Sequence, residues 1–168
     1  VAPTAPKNIH VWVQKSATGM FDAMDQIFNT LFDQYDNFQL IVQWGDQPFC
    51  DSTLHQTLFS DLNKYQVSVP PVWVSSPYVQ FKLGSPLAVY ESREDENCDS
   101  YGFKDMGIFA FSSESIESTW PLYKTNAPFG KVTGERNFVK FFETIQQKTE
   151  IFWRLDQPYY KSIGINTP

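Results

Sequence analysis

From Met20 the apolar residues recur at Met20, Met24, Ile27, Phe28, Leu31 and Tyr35. That spacing lays one apolar stripe along a helix of period 3.6 and predicts an α-helix with a single buried face. Two runs of a different pattern flank it. "NIHVWVQ" (Asn8 to Gln14) is short and rich in β-branched and aromatic residues, with Ser16, Thr18 and Gly19 behind it as candidate caps. "FQLIVQW" (Phe38 to Trp44) has few polar interruptions, as befits a central strand covered on both faces. The first 45 residues therefore read as a β-α-β unit.

The same reading continues along the chain. Leu54, Leu58, Leu62 and Tyr65 fall at helical spacing behind the candidate caps Asp51 and Ser52. "PPVWVSS" is a short strand introduced by Pro70 and Pro71, and Val79 to Glu94 reads as a hairpin around Gly84, Ser85 and Pro86. The polar stretch Arg93 to Gly102 reads as an exposed acidic loop, without the alternating acids and closing Glu of an EF-hand. "MGIFAFSS" (Met106 to Ser113) is a buried strand, and Thr119 to Gly134 is a connection punctuated by Pro and Gly. Phe138, Phe141, Phe142 and Ile145 mark a last helix, and Thr149 to Leu155 a last strand. Strands alternating with helices predict an α/β, Rossmann-like domain with a mostly parallel sheet and helices on both faces.

Composition narrows the class. The 168 residues are 42% hydrophobic and 17% aromatic, with 15 Phe, 8 Tyr and 5 Trp, which excludes global disorder. That length predicts one domain, with 8–155 as core and 156–168 as a C-terminal tail. A net charge of −6 opposes binding to nucleic acid or to anionic membrane surfaces, while a local basic pocket can still hold a diphosphate. No apolar run is long enough to insert in a membrane, and "VAPTAPKN" has neither an initiator Met nor an apolar signal core, so the chain reads as an excised or processed piece. Cys50 and Cys98, without CxxC spacing, allow one disulfide or two free thiols.

The chemistry on offer is sparse. No Gly-rich phosphate loop, GxSxG serine or HExxH pair occurs, and no metal site or cofactor is expected. His55-x-Thr57 matches half of a two-histidine phosphoesterase signature, but His10 is followed by Val11 and Trp12 rather than by Ser or Thr, which leaves both as ordinary histidines. Asp46 stands out. It follows a buried strand and sits between Gly45 and Pro48, where the chain leaves the sheet and where ligands bind in α/β folds. It is a turn residue or a base for a hydroxyl that must lose its proton. Tryptophans at strand ends, Trp44 and Trp120 above all, are candidates to stack on a sugar face.

Three blocks carry a family resemblance. "GMFDAMDQIFNTLFDQYDNFQLIVQWGDQP", "VPPVWVSS" and "KDMGIFAFSSESIESTWPLY" resemble, in order, blocks of the Rumi-like protein O-glucosyltransferases and the fungal capsule-associated glycosyltransferases. The resemblance spans residues 19 to about 156. It implies one lobe of a two-lobed GT-B-like enzyme and an inverting, metal-independent transfer of a sugar from a nucleotide-sugar donor to a glycan or protein acceptor. Asp46 corresponds to the family's base, Arg154 matches the family's Arg, and Asp105 matches a family Asp that fixes a loop by hydrogen bonds to nearby backbone or takes part in the site; Trp44, Trp120, Ser75, Ser76, Ser112 and Ser113 are the further substrate-binding candidates expected around Asp46. It also implies the secretory pathway, whereas a viral or bacterial origin would imply the cytoplasm.

The departures matter as well. The family's Gly-rich turn is "SSESIES" here, and after Arg154 the family's small residues are missing. The second lobe does not fit in the chain, so the chain is a lobe that works with a second domain of a longer protein, or a smaller divergent transferase. Two alternatives stand beside this one. One is a non-catalytic α/β module that binds carbohydrate or protein. The other is a carboxylate hydrolase, for which Asp51, Asp105, Glu114 and Glu117 are available to pair with Asp46.

Overall fold

A computed structural model describes residues 13–14 and 18–165. Most of the strand expected at Asn8 to Gln14, His10 included, lies outside the described residues, and Val13 and Gln14 belong to no strand. The helix of the 3.6-residue stripe is α1, Met20–Gln34, burying Phe21, Met24 and Phe28. Strand β1, Gln39–Gln43, follows. Helix α2, Ser52–Asp61, begins where Asp51 accepts the backbone N–H of Leu54, the capping its sequence announced.

The strands form two sheets rather than one. In sheet A, β1 pairs with β7 (Ile108–Ser112), β7 with β2 (Val67–Val69), and β2 with β8 (Ile151–Trp153). In sheet B the order is β3 (Val72–Ser75), β6 (Tyr101–Lys104), β4 (Val79–Lys82), β5 (Ala88–Glu91). Among these pairings β2 with β8 is parallel and all the others are antiparallel. The mostly parallel, GT-B-like arrangement expected from the alternation of elements is therefore incorrect. The cause is the excursion through β3 to β6, which turns the chain round before it re-enters sheet A at β7, whereas a parallel sheet needs right-handed crossovers between its strands.

Helices do cover both faces of sheet A. Residues alternate across β7, so Phe109 and Phe111 join α1 and the later helices in one cluster, and Ile108 and Ala110 join Leu54, Leu58 and Leu62 on the α2 side. The first cluster is largely aromatic. Trp120 stacks on Phe21 at 4.9 Å and meets Phe28 and Phe141 edge-on at 4.8 and 5.0 Å, and Phe109 lies 4.8 Å from Phe142. Such ring pairs add about 0.5–1.5 kcal/mol each beyond the area they bury.

Two further elements differ from expectation. Ser113–Asn126 is a helix, α3, where a turn and a loose connection were expected. Ser112 caps it, and the Ser115 and Thr119 hydroxyls donate to carbonyls of Ser112 and Ser115, which lets a Ser/Thr-rich run be buried. Pro121 lies on the exposed side, where water can satisfy the carbonyl that the proline leaves without its donor. The last helix, α4, is shorter than its apolar pattern and spans Phe141–Gln146, while Phe138 is buried just before it. The hairpin β4–β5 forms as expected. No helix among the described residues is long and apolar enough to cross a membrane, and both Cys50 and Cys98 are free thiols.

Candidate functional site

β1 ends at Gln43, and the chain turns through Gly45 and Asp46, with Gln47 N–H donating to the carbonyl of Trp44 (3.2 Å). Because β7 runs antiparallel to β1, with Gln43 opposite Ile108 and Gln39 opposite Ser112, the start of β7 lies beside this turn and its end lies at the far side of the sheet. That single fact sorts the candidate residues. Asp105, just ahead of β7, is brought to Asp46. Ser112 and Ser113 are carried away from it and serve structure: Ser112 caps α3, and Ser113 Oγ accepts the N–H of Phe38 at 3.3 Å.

Gly107 holds the junction together. Its φ is +69°, and a Cβ there would stand 2.6 Å from Trp44 Cδ1 and 2.7 Å from Gln47 Cγ. Its N–H donates to Asp105 Oδ1 at 2.7 Å and its carbonyl accepts from Trp44 N–H at 2.8 Å. Ile165 packs on the same turn, its N–H donating to the carbonyl of Asp46 at 2.8 Å.

A cavity of about 620 Å³ opens here, within the usual size range of small-molecule sites. Trp44, Asp46 and Asp105 line it, together with Tyr78, Glu91, Arg93, Glu135 and Arg136, which sequence reasoning missed. Trp44 leans edge-on against Phe109 and Phe138. Arg93 Nε donates to Glu91 at 2.9 Å, and Arg136 Nη2 to Asp22 at 2.7 Å with its guanidinium 4.1 Å above the Phe21 ring. Each arginine is thus anchored on one side and keeps further N–H groups for an anion. The charged pair Glu135-Arg136 directly ahead of a buried aromatic run was the available signal for one of them.

The other candidates lie elsewhere. Trp120 is only 4% exposed inside the aromatic cluster, with its indole N–H on Asp25 at 2.9 Å. Ser75 and Ser76 are exposed at the end of β3 and do not line the cavity. Arg154 holds Asp61 through Nε (3.0 Å) and Nη2 (2.5 Å), and Ser68 donates to the same carboxylate, a pairing that ties the end of β8 to α2. His55 is an ordinary helix histidine, with ring nitrogens 2.7 Å from the Asp51 carbonyl and 2.7 Å from Gln43 Oε1. Of the acids offered as partners for Asp46, Asp51 caps α2, and Glu114 and Glu117 are exposed on α3. Among the described residues no three of His, Cys, Asp and Glu are grouped to hold a metal by themselves.

The electrostatics follow from burial. Asp105 is 2% exposed, and burial pushes its carboxyl up to about 6 against the opposing N–H of Gly107 and charge of Lys104, with Glu91 and Asp46 adding to the rise. Burial also raises Glu91. Tyr78 is pushed up to about 12, first by desolvation of its hydroxyl, although the residue as a whole is 45% exposed, and then by the charges of Asp105 and Asp46. A raised carboxyl binds its proton more tightly in the folded than in the unfolded chain, so Asp105 makes the protein lose stability as pH rises from about 4 through 6. Asp105→Asn keeps the acceptor for Gly107 and removes the charge. It is expected to be more stable than the parent by about 2–3 kcal/mol at pH 7.5 and little different at pH 4. Urea melts at the two pH values check this, and a difference that does not change with pH would be against it.

No protein-family model matches the chain, and no curated protein matches it in sequence. The structure is similar to that of the 4-diphosphocytidyl-2C-methyl-D-erythritol synthase from Anaerococcus prevotii, with a TM-score of 0.55 and 18% identity. The match covers 89% of this chain and 62% of the synthase, so the chain spans less than two thirds of the length of the protein it resembles. At that identity the likeness concerns the fold. The resemblance to the Rumi-like and capsule-associated glycosyltransferases is overturned by these findings and by the antiparallel sheets. With it go the sugar transfer, the nucleotide-sugar donor and the glycan or protein acceptor.

Proposed function

We propose that the chain carries the acceptor side of a nucleotidyl-transfer domain, and that its cavity takes a small phosphorylated polyol. The observation that carries this reading is the placement of Arg93 and Arg136 in one cavity with Asp46, Asp105, Trp44 and Tyr78. Two planar guanidiniums, each anchored by a carboxylate, present paired N–H donors to the oxygens of a tetrahedral phosphate, which no neutral group matches. The carboxylates and the Tyr78 hydroxyl suit polyol hydroxyls, and Trp44 supplies an apolar face. The synthase from A. prevotii is named for a product in which a diphosphocytidyl group is joined to a methylated four-carbon polyol, and the shared fold makes that the chemistry of first choice.

In such a reaction a phosphate oxygen of the polyol attacks the α-phosphorus of a nucleoside triphosphate. A new P–O bond forms, the bond to the β-phosphate oxygen breaks, and pyrophosphate leaves. Protein groups act chiefly by positioning and by stabilising charge. Mg²⁺ usually takes one or two carboxylates and completes its shell with water and substrate phosphates, so the carboxylate of Asp46, which lines the cavity, would hold it, and the ion would neutralise charge on the triphosphate oxygens. Asp105, buried and with its carboxyl pushed up to about 6 by desolvation, shapes the pocket.

Calorimetric titration tests the reading. Erythritol 4-phosphate is expected to bind at least about tenfold more tightly than erythritol, and Arg93→Ala and Arg136→Ala each to lose about tenfold or more in affinity for the phosphate ester alone. Equal affinity for the two polyols, or binding indifferent to both arginines, would sink it.

A further inference from the structure

Residues 127–136 form a strap between α3 and α4. Its Gly130 N–H donates to the Glu135 carbonyl (2.8 Å), its Gly134 N–H to the Gly130 carbonyl (3.1 Å), and Phe129 bridges to Arg136. At its base Glu135 and Arg136 face the cavity. At its tip Phe129, Lys131 and Val132 are exposed, so apolar burial does not hold the tip down.

One side chain does. Glu94, buried in the short 3-10 turn Ser92–Glu94, reaches into the strap. Its Oε2 accepts the N–H groups of Val132 (2.9 Å) and Thr133 (3.3 Å), and its Oε1 accepts the Thr133 hydroxyl (2.7 Å). Gly130 makes the room, since a Cβ there would stand 2.4 Å from this carboxyl group. The residue before it, Arg93, lines the cavity, with Nε 3.9 Å from Glu94.

We propose that Glu94 is a latch: its carboxylate fastens the tip of the 127–136 strap to the Ser92–Glu94 turn, and when the contact breaks the tip swings away from that turn while the base of the strap keeps its place at the cavity. Three donors on one buried carboxylate make a strong contact, because hydrogen bonds to a charged group are about twice as strong as neutral ones. Among the described residues Glu94 is the one side chain outside the strap that hydrogen-bonds to its tip, which makes the contact a point of release. Gly130 and Gly134 flank the tip, Gly134 has a φ of +67°, and nothing stands within 4 Å of where its Cβ would be, so the backbone there can change course without a steric barrier. The base stays fixed through Arg136, Asp22 and Phe21, which makes the motion a hinge at the tip rather than unfolding of the strap. The latch is independent of what the cavity binds.

Amide exchange read residue by residue on the chain without ligand is the test. In Glu94→Ala the Val132 and Thr133 amides are expected to exchange at least about tenfold faster, and trypsin to cut sooner after Lys131, while the amides of β7 keep their protection. Glu94→Gln, which keeps an acceptor oxygen and loses the charge, should fall between. If Glu94→Ala does not fold, Thr133→Val removes one of the three donors and is expected to raise exchange at the same two amides by a smaller factor. Unchanged exchange at Val132 and Thr133 in the folded variants overturns the proposal, and so does a rise spread evenly over the chain.

Discussion

On the proposed nucleotidyl transfer, Asp46→Asn is expected to slow release of pyrophosphate from CTP and a polyol phosphate by about 10²–10³, the usual cost of removing one preorganised electrostatic group from a transfer site. The substitution is nearly isosteric. Asparagine keeps an oxygen for the Gln47 amide, which sits 3.5 Å from Asp46 Oδ1, and the backbone carbonyl that accepts from Ile165 is untouched. Fold and cavity should therefore persist, and affinity for the polyol phosphate, which the arginines govern, should change by less than about threefold. Turnover and calorimetry on this one variant separate the roles. A parallel loss in both would make Asp46 a binding group, and undiminished turnover would put the chemistry elsewhere.

Gly107→Ala is expected to cost about 2–5 kcal/mol of stability, seen as a lower urea midpoint at constant slope. Two effects add. A residue with a side chain loses about 1–2 kcal/mol in the left-handed region that Gly107 occupies, and overpacking against Trp44 and Gln47 costs typically about 1–3 more. Gly134→Ala separates them, since its φ of +67° is the same kind of conformation with open space where the methyl would go. It should show only the first cost. If the two variants lose equally, the contacts at the end of β1 are softer than their distances indicate.

Much of this structure was legible in the chain, and the failures have identifiable causes. Met20, Met24 and Phe28 announced α1 because a helix needs one apolar face and no alternative period fits them. Phe109 and Phe111 announced a buried strand, but an apolar run reads the same in either direction, so nothing in it said that β7 opposes β1. The candidate site inherited that ambiguity. Asp105 meets Asp46 only because β7 opposes β1, whereas Ser112 and Ser113 would reach the site only if β7 ran parallel to β1, so the two sets were alternatives that the sequence could not separate. Trp120 was misplaced because α3 was read as loop, its Ser/Thr content and Pro121 hiding a helix that satisfies its hydroxyls on its own carbonyls. Arg93 and Arg136 were missed for a further reason. Charged residues in loops carry no periodicity, and only the fold brings two such loops to one cavity.

The strand order of sheet A also sets the order of events when the chain folds. Sheet B includes the hairpin β4–β5, whose partners Lys82 and Ala88 are near neighbours in the chain. Sheet A has no such local pair: Gln39 meets Ser112, and Val67 meets Ile151. Pairings so distant slow folding, because long loops must close before any contact rewards them. During synthesis β1 and β2 leave the ribosome well ahead of β7 and β8, and through that interval their hydrogen-bonding edges are without native partners. The β1 turn that carries Asp46 thus takes its final shape only when the last third of the chain has arrived, which makes the cavity one of the last features of the molecule to form.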